Sequence, residues 1–217
     1  MDTTTLHTDR MRRFQQAGLY LVTSQALSRG RSTLEIVDAA LAGGVRLIQL
    51  REKEMPMPDF LRLAELLRAR TAQAGALLII NDRVDVALAV GADGVHLGQE
   101  DLPITVARSL LPAGSVIGVS THSLAEAREA ERAGADYLGF GCMYSSPTKK
   151  DVTAPQGLER LREVTAAVGI PVVAIGGIGR DRLGEVKAGG AAAAAVISAL
   201  AVADPEAAAR ELVAAFS

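Results

Sequence analysis

Four times along this chain a helical pattern ends in a small residue and glycine and passes straight into a short apolar run. The copies are Ala42-Gly43-Gly44-Val45, Val90-Gly91-Ala92-Asp93, Ala133-Gly134-Ala135-Asp136 and Ala188-Gly189-Gly190-Ala191. Gly43, Gly91, Gly134 and Gly189 each suit the position just after a helix, where φ is positive. A spacing of roughly 45 residues is too long for one strand and one helix but fits two such units, so the phrase marks alternate strands. Further apolar runs lie between the copies. The resulting strand candidates are residues 19–23, 45–50, 77–81, 94–97, 116–120, 137–140, 172–175 and 193–197, all short and largely aliphatic, with Arg46 the one formal charge inside any of them.

Helical patterns separate these runs. Phe60, Leu63, Ala64, Leu67 and Thr71 recur at helical spacing, Ser32 with Glu35 and Ser123 with Glu126 read as capping boxes, and Asp204-Pro205 reads as the start of a final helix. Strict alternation, eight strands and eight helices, predicts an α/β fold: a single (β/α)8 TIM barrel with a short helical extension around residues 10–16. A doubly wound open sheet is the alternative. No linker or composition shift divides the chain, so residues 1–217 read as one domain.

Composition narrows the function. The formal net charge is −2, with no Trp, 3 Tyr and 4 Phe, which argues against a nucleic-acid partner that would draw on clustered cations and stacking aromatics. Hydrophobic residues make up 49% of the chain, enough for a large core. The longest uncharged runs are Ala- and Gly-rich and shorter than a membrane span, so no membrane partner is expected. The polar N-terminus lacks the apolar stretch of a signal peptide, and the single Cys142 makes neither an internal disulfide nor a zinc site. A reducing, cytoplasmic setting is the expectation, and Cys142 reads as a small buried residue. A homo-oligomer is compatible with all of this.

Barrel enzymes of this type place their chemistry at the C-terminal ends of the strands. There this chain carries Gln49, Arg51, Glu52 and Lys53, then Asn81 and Asp82, then Gln99, Glu100 and Asp101, then Ser120, Thr121 and His122, and after the sixth strand Ser145 to Asp151. Gln49, Arg51 and Lys53 alternate, so in an extended strand they share one face with Val45 and Leu47. Two cations and an amide on one face suit a diphosphate; a solvated loop in which Glu52 and Glu54 pair with them is the alternative. Asp82 and Asp101, on adjacent units, suit one Mg2+ completed by substrate phosphate oxygens, although each is also placed to cap the helix that follows. Gly176-Gly177 and Ile197-Ser198 close strands seven and eight, where such barrels commonly bind a phosphate. Two anion sites point to two phosphorylated small-molecule substrates. His96, inside a strand, reads as a satisfied core histidine, and His122 as a residue capable of proton transfer.

These phrases, namely Gln49-Leu50-Arg51-Glu52-Lys53, Ile80-Asn81-Asp82-Arg83-Val84-Asp85, His96-Leu97-Gly98-Gln99-Glu100-Asp101, Gly118-Val119-Ser120, Thr148-Lys149-Lys150-Asp151, Gly176-Gly177 and Ile197-Ser198, resemble the thiamine phosphate synthase family from Leu19 to the final helix. The resemblance implies a transferase of thiamine biosynthesis. It would join 4-amino-5-hydroxymethyl-2-methylpyrimidine diphosphate to 4-methyl-5-(2-phosphoethyl)thiazole, giving thiamine phosphate and diphosphate. By position, Gln49, Leu50, Arg51, Glu52, Lys53, Asn81, Ser120 and Lys149 would hold the pyrimidine diphosphate. Asp82 and Asp101 would bind Mg2+ as the cofactor, and Ser146, Pro147, Thr148, Gly177, Ile197 and Ser198 would surround the thiazole phosphate. Arg51, Lys53, Ser120 and Lys149 would carry the catalytic step, with diphosphate leaving largely before the thiazole nitrogen attacks.

Where the family usually has Gly-Pro, an apolar residue, an aromatic and Pro before its Thr-x-Thr-Lys, this chain reads Gly141-Cys142-Met143-Tyr144-Ser145-Ser146-Pro147-Thr148-Lys149. The related thiazole tautomerases share the barrel and would use His122 as proton carrier. They lack a counterpart of Asp101 and the Thr-Lys-Lys-Asp phrase, both present here. A non-catalytic binder of thiamine precursors is the alternative of another class.

Overall fold

The structure is a computed structural model that describes residues 2–145 and 155–216. Its eight strands, β1 (Gly18–Val22), β2 (Leu47–Leu50), β3 (Leu77–Asn81), β4 (Gly94–Leu97), β5 (Val116–Thr121), β6 (Tyr137–Gly141), β7 (Val172–Ile175) and β8 (Ala193–Val196), pair in parallel in sequence order. Gly18 opposite Ala193 and Leu21 opposite Val196 bring β8 back to β1, so the barrel is closed rather than an open sheet. Helix α1 (Thr3–Gln16) precedes the barrel. The others follow the strands in turn: α2 (Thr33–Ala42), α3 (Met57–Gln73), α4 (Val84–Val90), α5 (Ile104–Leu110), α6 (Leu124–Arg132), α7 (Gly157–Ala167), α8 (Leu183–Ala188) and α9 (Pro205–Phe216). No helix among the described residues is long and apolar enough to cross a membrane.

Local sequence explains the boundaries. Ser32 accepts from the Glu35 backbone while the Glu35 carboxylate accepts from the Ser32 backbone, a complete capping box at α2. At α6 the box is half made: Ser123 accepts from Glu126 N–H, but the Glu126 carboxylate turns to the His122 backbone. Asp204 Oδ1 accepts from Ala207 N–H and starts α9. The recurring glycine phrase does precede β2, β4, β6 and β8. Gly91 and Gly134 take positive φ as expected, but in the Gly-Gly copies the second residue, Gly44 or Gly190, does so. Gly43 and Gly189 are small for another reason: a side chain on Gly43 would meet Ala209 and the α9 backbone, and one on Gly189 would meet Leu161.

Strand two also begins later than its apolar run. Val45 N–H donates to Ala40 O, completing the helix-ending turn, so the strand starts at Leu47 and Arg46 lies outside it. Val45 consequently packs among the helices, while Leu47 faces the barrel interior.

Strand residues alternate between two cores. The outer one joins strands to helices through residues such as Leu19, Ile48, Leu78, Ile117 and Leu138. The inner one holds Tyr20, Val22, Leu47, Leu77, Ile79, Val116, Tyr137, Val173, Ala193 and Ala195, together with Phe14 from α1. Phe14 is fully buried and closes the floor, its ring 4.3 Å from that of Tyr137 and 6.1 Å from that of Tyr20. Gly118 makes the space for this arrangement, because a methyl group there would overlap the Tyr137 ring.

Two aspartates fix α1 across that floor. Asp93 accepts from Leu78 N–H at 2.9 Å, Arg10 Nε at 3.1 Å and Arg68 Nη1 at 2.9 Å. Asp136 repeats the device with Ile117 N–H at 2.7 Å, Arg108 Nη2 at 2.7 Å and His7 Nε2 at 2.8 Å. These are the last residues of the Gly-Ala-Asp copies. Each carboxylate ties the start of the preceding strand to a cation on α1 or on an outer helix.

Asp93 is buried, so Asp93→Ala strands one strand amide and two guanidinium groups. It should cost about 3 kcal/mol of stability, and Asp93→Asn, which keeps an acceptor, less; urea unfolding midpoints measure both. His96 supplies a second test. Its burial pushes the imidazole pKa down to about 4, below the unfolded value, so native stability is held above pH 6.5 and lost as pH falls toward 4. Between pH 7 and pH 5 the wild type should lose about 2 kcal/mol more than His96→Gln in urea titrations at the two pH values.

Candidate functional site

A cavity of about 490 Å3 opens at the C-terminal ends of the strands, above the Tyr20 and Tyr137 floor. Gln49, Arg51, Asn81, Ser120, Gly177, Ile197 and Ser198 all line it, from five different strand ends. Gln49 is buried on the inner face of β2. Arg51 follows the strand, its backbone N–H donating to Thr23 Oγ1 at 2.9 Å. Lys53 lies in the next turn and is exposed, yet its charge reaches Asp82.

Leu50 and Glu52 turn away from this cavity. Leu50 is fully buried in the outer core, as alternation demands of the neighbour of Gln49. The Glu52 carboxylate accepts from Thr33 Oγ1 at 2.6 Å and from Gln25 N–H at 2.9 Å, which ties the loop after β2 to the loop after β1. Arg51 and Lys53 therefore do not have Glu52 as their partner. Ser146, Pro147, Thr148 and Lys149 lie outside the described residues. The flanks of that segment meet, with Gln156 N–H donating to Cys142 O and Gly157 N–H to Met143 O.

Asp82 and Asp101 come together at the rim. Neither caps a helix: α4 starts behind Arg83 and α5 behind Pro103, both without a side-chain cap. Asp82 has φ +61, a conformation that Asp tolerates better than most residues, and its N–H donates to His96 O at 2.8 Å. Asp101 Oδ2 accepts from Gly98 N–H at 2.6 Å. Burial and the Asp101 carboxyl push the Asp82 pKa up to about 6, while the Lys53 and Arg51 charges pull it down. Two carboxyl groups repelling each other under two cations form a donor set that a hard divalent cation relieves. Among the described residues there is no cluster of three or more such groups, so water and substrate oxygens would complete its shell, as is usual for Mg2+.

On the far side, Gly176 and Gly177 both take positive φ after β7, and Ser198 opens a short 3-10 helix, Ser198–Leu200, after β8. A side chain on Gly177 would run into Tyr144 and Ser145, so this turn packs closely under the loop from β6. Tyr144 is in turn fastened outside, its hydroxyl donating to Glu185 at 3.0 Å and its ring lying under the Arg182 guanidinium at 4.5 Å.

Several cavity residues were not singled out by sequence. Tyr20 and Tyr137 line it from below, joined to Gln49, His96 and Ser120 by hydrogen bonds of 2.9 Å. Their signal is faint: a lone tyrosine at an inward position in a chain that has three. His96 is the satisfied buried histidine its position suggests, with both ring nitrogens engaged. Cys142 departs from expectation, being half-exposed on the cavity with its thiol donating to Tyr144 O at 2.9 Å. It directly follows Gly141 at the C-terminal end of β6, so strand position marked it where residue type did not. His122 also lines the cavity, its Nδ1 3.3 Å from the Glu126 carboxylate.

The family model described as thiamine monophosphate synthase matches residues 19–200. A thiamine-phosphate synthase of Moorella thermoacetica is 52% identical over 198 residues, covering 91% of this chain and 94% of that protein. One from Chloroflexus aurantiacus is 49% identical over 195 residues, with 89% and 90% covered. The solved thiamine phosphate pyrophosphorylase from Pyrococcus furiosus superposes with a TM-score of 0.85 at 43% identity, covering 94% of this chain and 96% of that one. A 3-hexulose-6-phosphate synthase at 20% identity and a TM-score of 0.65 shares the barrel alone. With the match spanning nearly all of the barrel, this chain belongs to the thiamine monophosphate synthase family.

Proposed function

We propose that this protein condenses 4-amino-5-hydroxymethyl-2-methylpyrimidine diphosphate with 4-methyl-5-(2-phosphoethyl)thiazole to form thiamine phosphate and diphosphate, within one barrel domain. Family membership supports the reaction. The observation that carries the residue roles is the meeting of Asp82 and Asp101 beside Arg51 and Lys53 at the rim of a closed-bottomed cavity.

Asp82 and Asp101 would hold Mg2+, which when bound would screen the charge gathering on the departing diphosphate. Arg51 offers that group a two-pronged donor and Lys53 a point charge, with Lys149 assigned to the same task by its place in the motif. Leu50 and Glu52 act as frame, one packed outward and the other tying down the loop. Asn81, Gln49 and Ser120 orient the pyrimidine ring. Its exocyclic amine delocalises the positive charge left on the methylene carbon, so no protein nucleophile is needed. Gly177, Ile197 and Ser198, with Ser146, Pro147 and Thr148, bind the thiazole phosphate and aim the ring nitrogen along the line of the breaking bond. The packed floor of the cavity keeps water from reaching the cation from below.

His122 with Glu126 behind it gives a proton-carrying role, as in thiazole tautomerisation, its physical basis. The assay separates the two. Purified protein mixed with both precursors and Mg2+ should form thiamine phosphate; tautomerised thiazole as the sole product would overturn the proposal. Chelation of divalent cations should abolish turnover and re-addition of Mg2+ restore it. Asp82→Ala and Asp101→Ala should each lower kcat about 100-fold or more with an unchanged circular-dichroism spectrum, since each removes half the donor set under the leaving group. Wild-type turnover in either variant would sink the metal assignment.

A further inference from the structure

Five side chains cross the barrel floor as one hydrogen-bonded chain. Gln49 Nε2 donates to Tyr20 Oη, the Tyr20 and Tyr137 hydroxyls meet, Tyr137 Oη meets His96 Nδ1, and His96 Nε2 meets Ser120 Oγ, each at 2.9 Å. Tyr20 and Tyr137 are almost wholly buried, so water does not supply their missing partners. With Gln49 Nε2 as the donor at one end and one proton on each phenol, the direction of the chain follows. Tyr20 accepts from Gln49 and gives its proton to Tyr137. Tyr137 gives its own to His96 Nδ1, the imidazole then carries its proton on Nε2, and that proton goes to Ser120. Ser120 is left with a free O–H donor on the cavity, while Gln49 keeps its carbonyl oxygen as an acceptor.

We infer that Tyr20, Tyr137 and His96 are positioning residues for the condensation: their chain couples Gln49 to Ser120, so that a bound aminopyrimidine meets an acceptor on one wall and a donor on the other. An exocyclic amine and a ring nitrogen present the complementary pair. This rests on the pyrimidine reading of the cavity given above.

The interior of such a barrel is ordinarily filled by Val, Ile and Leu. Phe at positions 20 and 137 would keep the ring packing on Phe14, so the hydroxyls are not needed to fill space. A buried polar chain contributes little net stability over apolar groups of the same shape, which makes its retention in a floor facing the substrate a matter of function.

The test is a double-mutant cycle run in three backgrounds. Binding of the pyrimidine diphosphate is measured by calorimetry for the parent, Gln49→Ala, Ser120→Ala and the double variant, in wild type, in Tyr137→Phe and in Tyr20→Phe. In wild type the double variant should lose affinity by at least about fivefold less than the product of the single losses. In either Phe background the losses should multiply independently. Tyr137→Phe alone should weaken the pyrimidine diphosphate about tenfold and leave KM for the thiazole phosphate within about twofold. If Tyr137→Phe does not fold, Tyr20→Phe interrupts the same chain and decides. Independent losses in wild type, or coupling that survives in the Phe backgrounds, would overturn the inference. A wild type that does not bind the pyrimidine diphosphate at all would instead overturn the assigned function, and the inference with it.

Discussion

Closing eight strands of four to six residues into a barrel leaves a space that must be solid at one end and open at the other. The Tyr137 ring is where this protein meets that demand. It is large enough to span the floor only because Gly118, on the neighbouring strand, has no side chain. It needs a partner beneath it, and Phe14 supplies one from a helix outside the barrel proper. That helix stays in place through Arg10 and His7, which reach Asp93 and Asp136 at the strand beginnings. Rings thus make the floor watertight from below, and the hydroxyls on the same tyrosines furnish it with polarity from above.

The two ends of the barrel use aspartate in opposite ways. Asp93 and Asp136 precede strands, and their carboxylates are saturated with strand amides and cations, so they spend their charge on stability. Asp82 and Asp101 follow strands and lie beside each other at the rim. Burial first and the Asp101 carboxyl second raise the pKa of Asp82, against the pull of the Lys53 and Arg51 charges. An arrangement that is unfavourable in the free protein and relieved by a ligand belongs at a functional site.

Much of this was legible in the sequence because it depends on period and position. Strand-ending runs and the glycine phrase gave the barrel, and the rule that chemistry sits at strand C-termini gave Gln49, Arg51, Asp82, Asp101 and Ser120. What escaped depends on distance in space. Tyr20 and Tyr137 are 117 residues apart and meet only when β1 and β6 face each other across the closed barrel. Glu52 sits within a motif of site residues, yet its side chain turns to Thr33 and Gln25, partners 19 and 27 residues away that no local pattern announces. Likewise Gly43 was legible as a helix end but not as a contact for α9, whose docking no local pattern encodes.

On the proposed reaction, the cavity is polarised along the direction in which charge must separate. Among the described residues its formal charges, Arg51, Lys53, Asp82 and Asp101, gather at the rim, where the diphosphate would lie. The floor beneath the pyrimidine is made of neutral donors and acceptors: an amide, two phenols, an imidazole and a hydroxyl. When the bond to diphosphate breaks, negative charge moves toward cations and positive charge stays over a floor that holds none. A charged histidine at position 96 would oppose that step at close range in a poorly screened site, and burial disfavours that charge. The same burial that closes the barrel therefore sets the electrostatics of the chemistry above it.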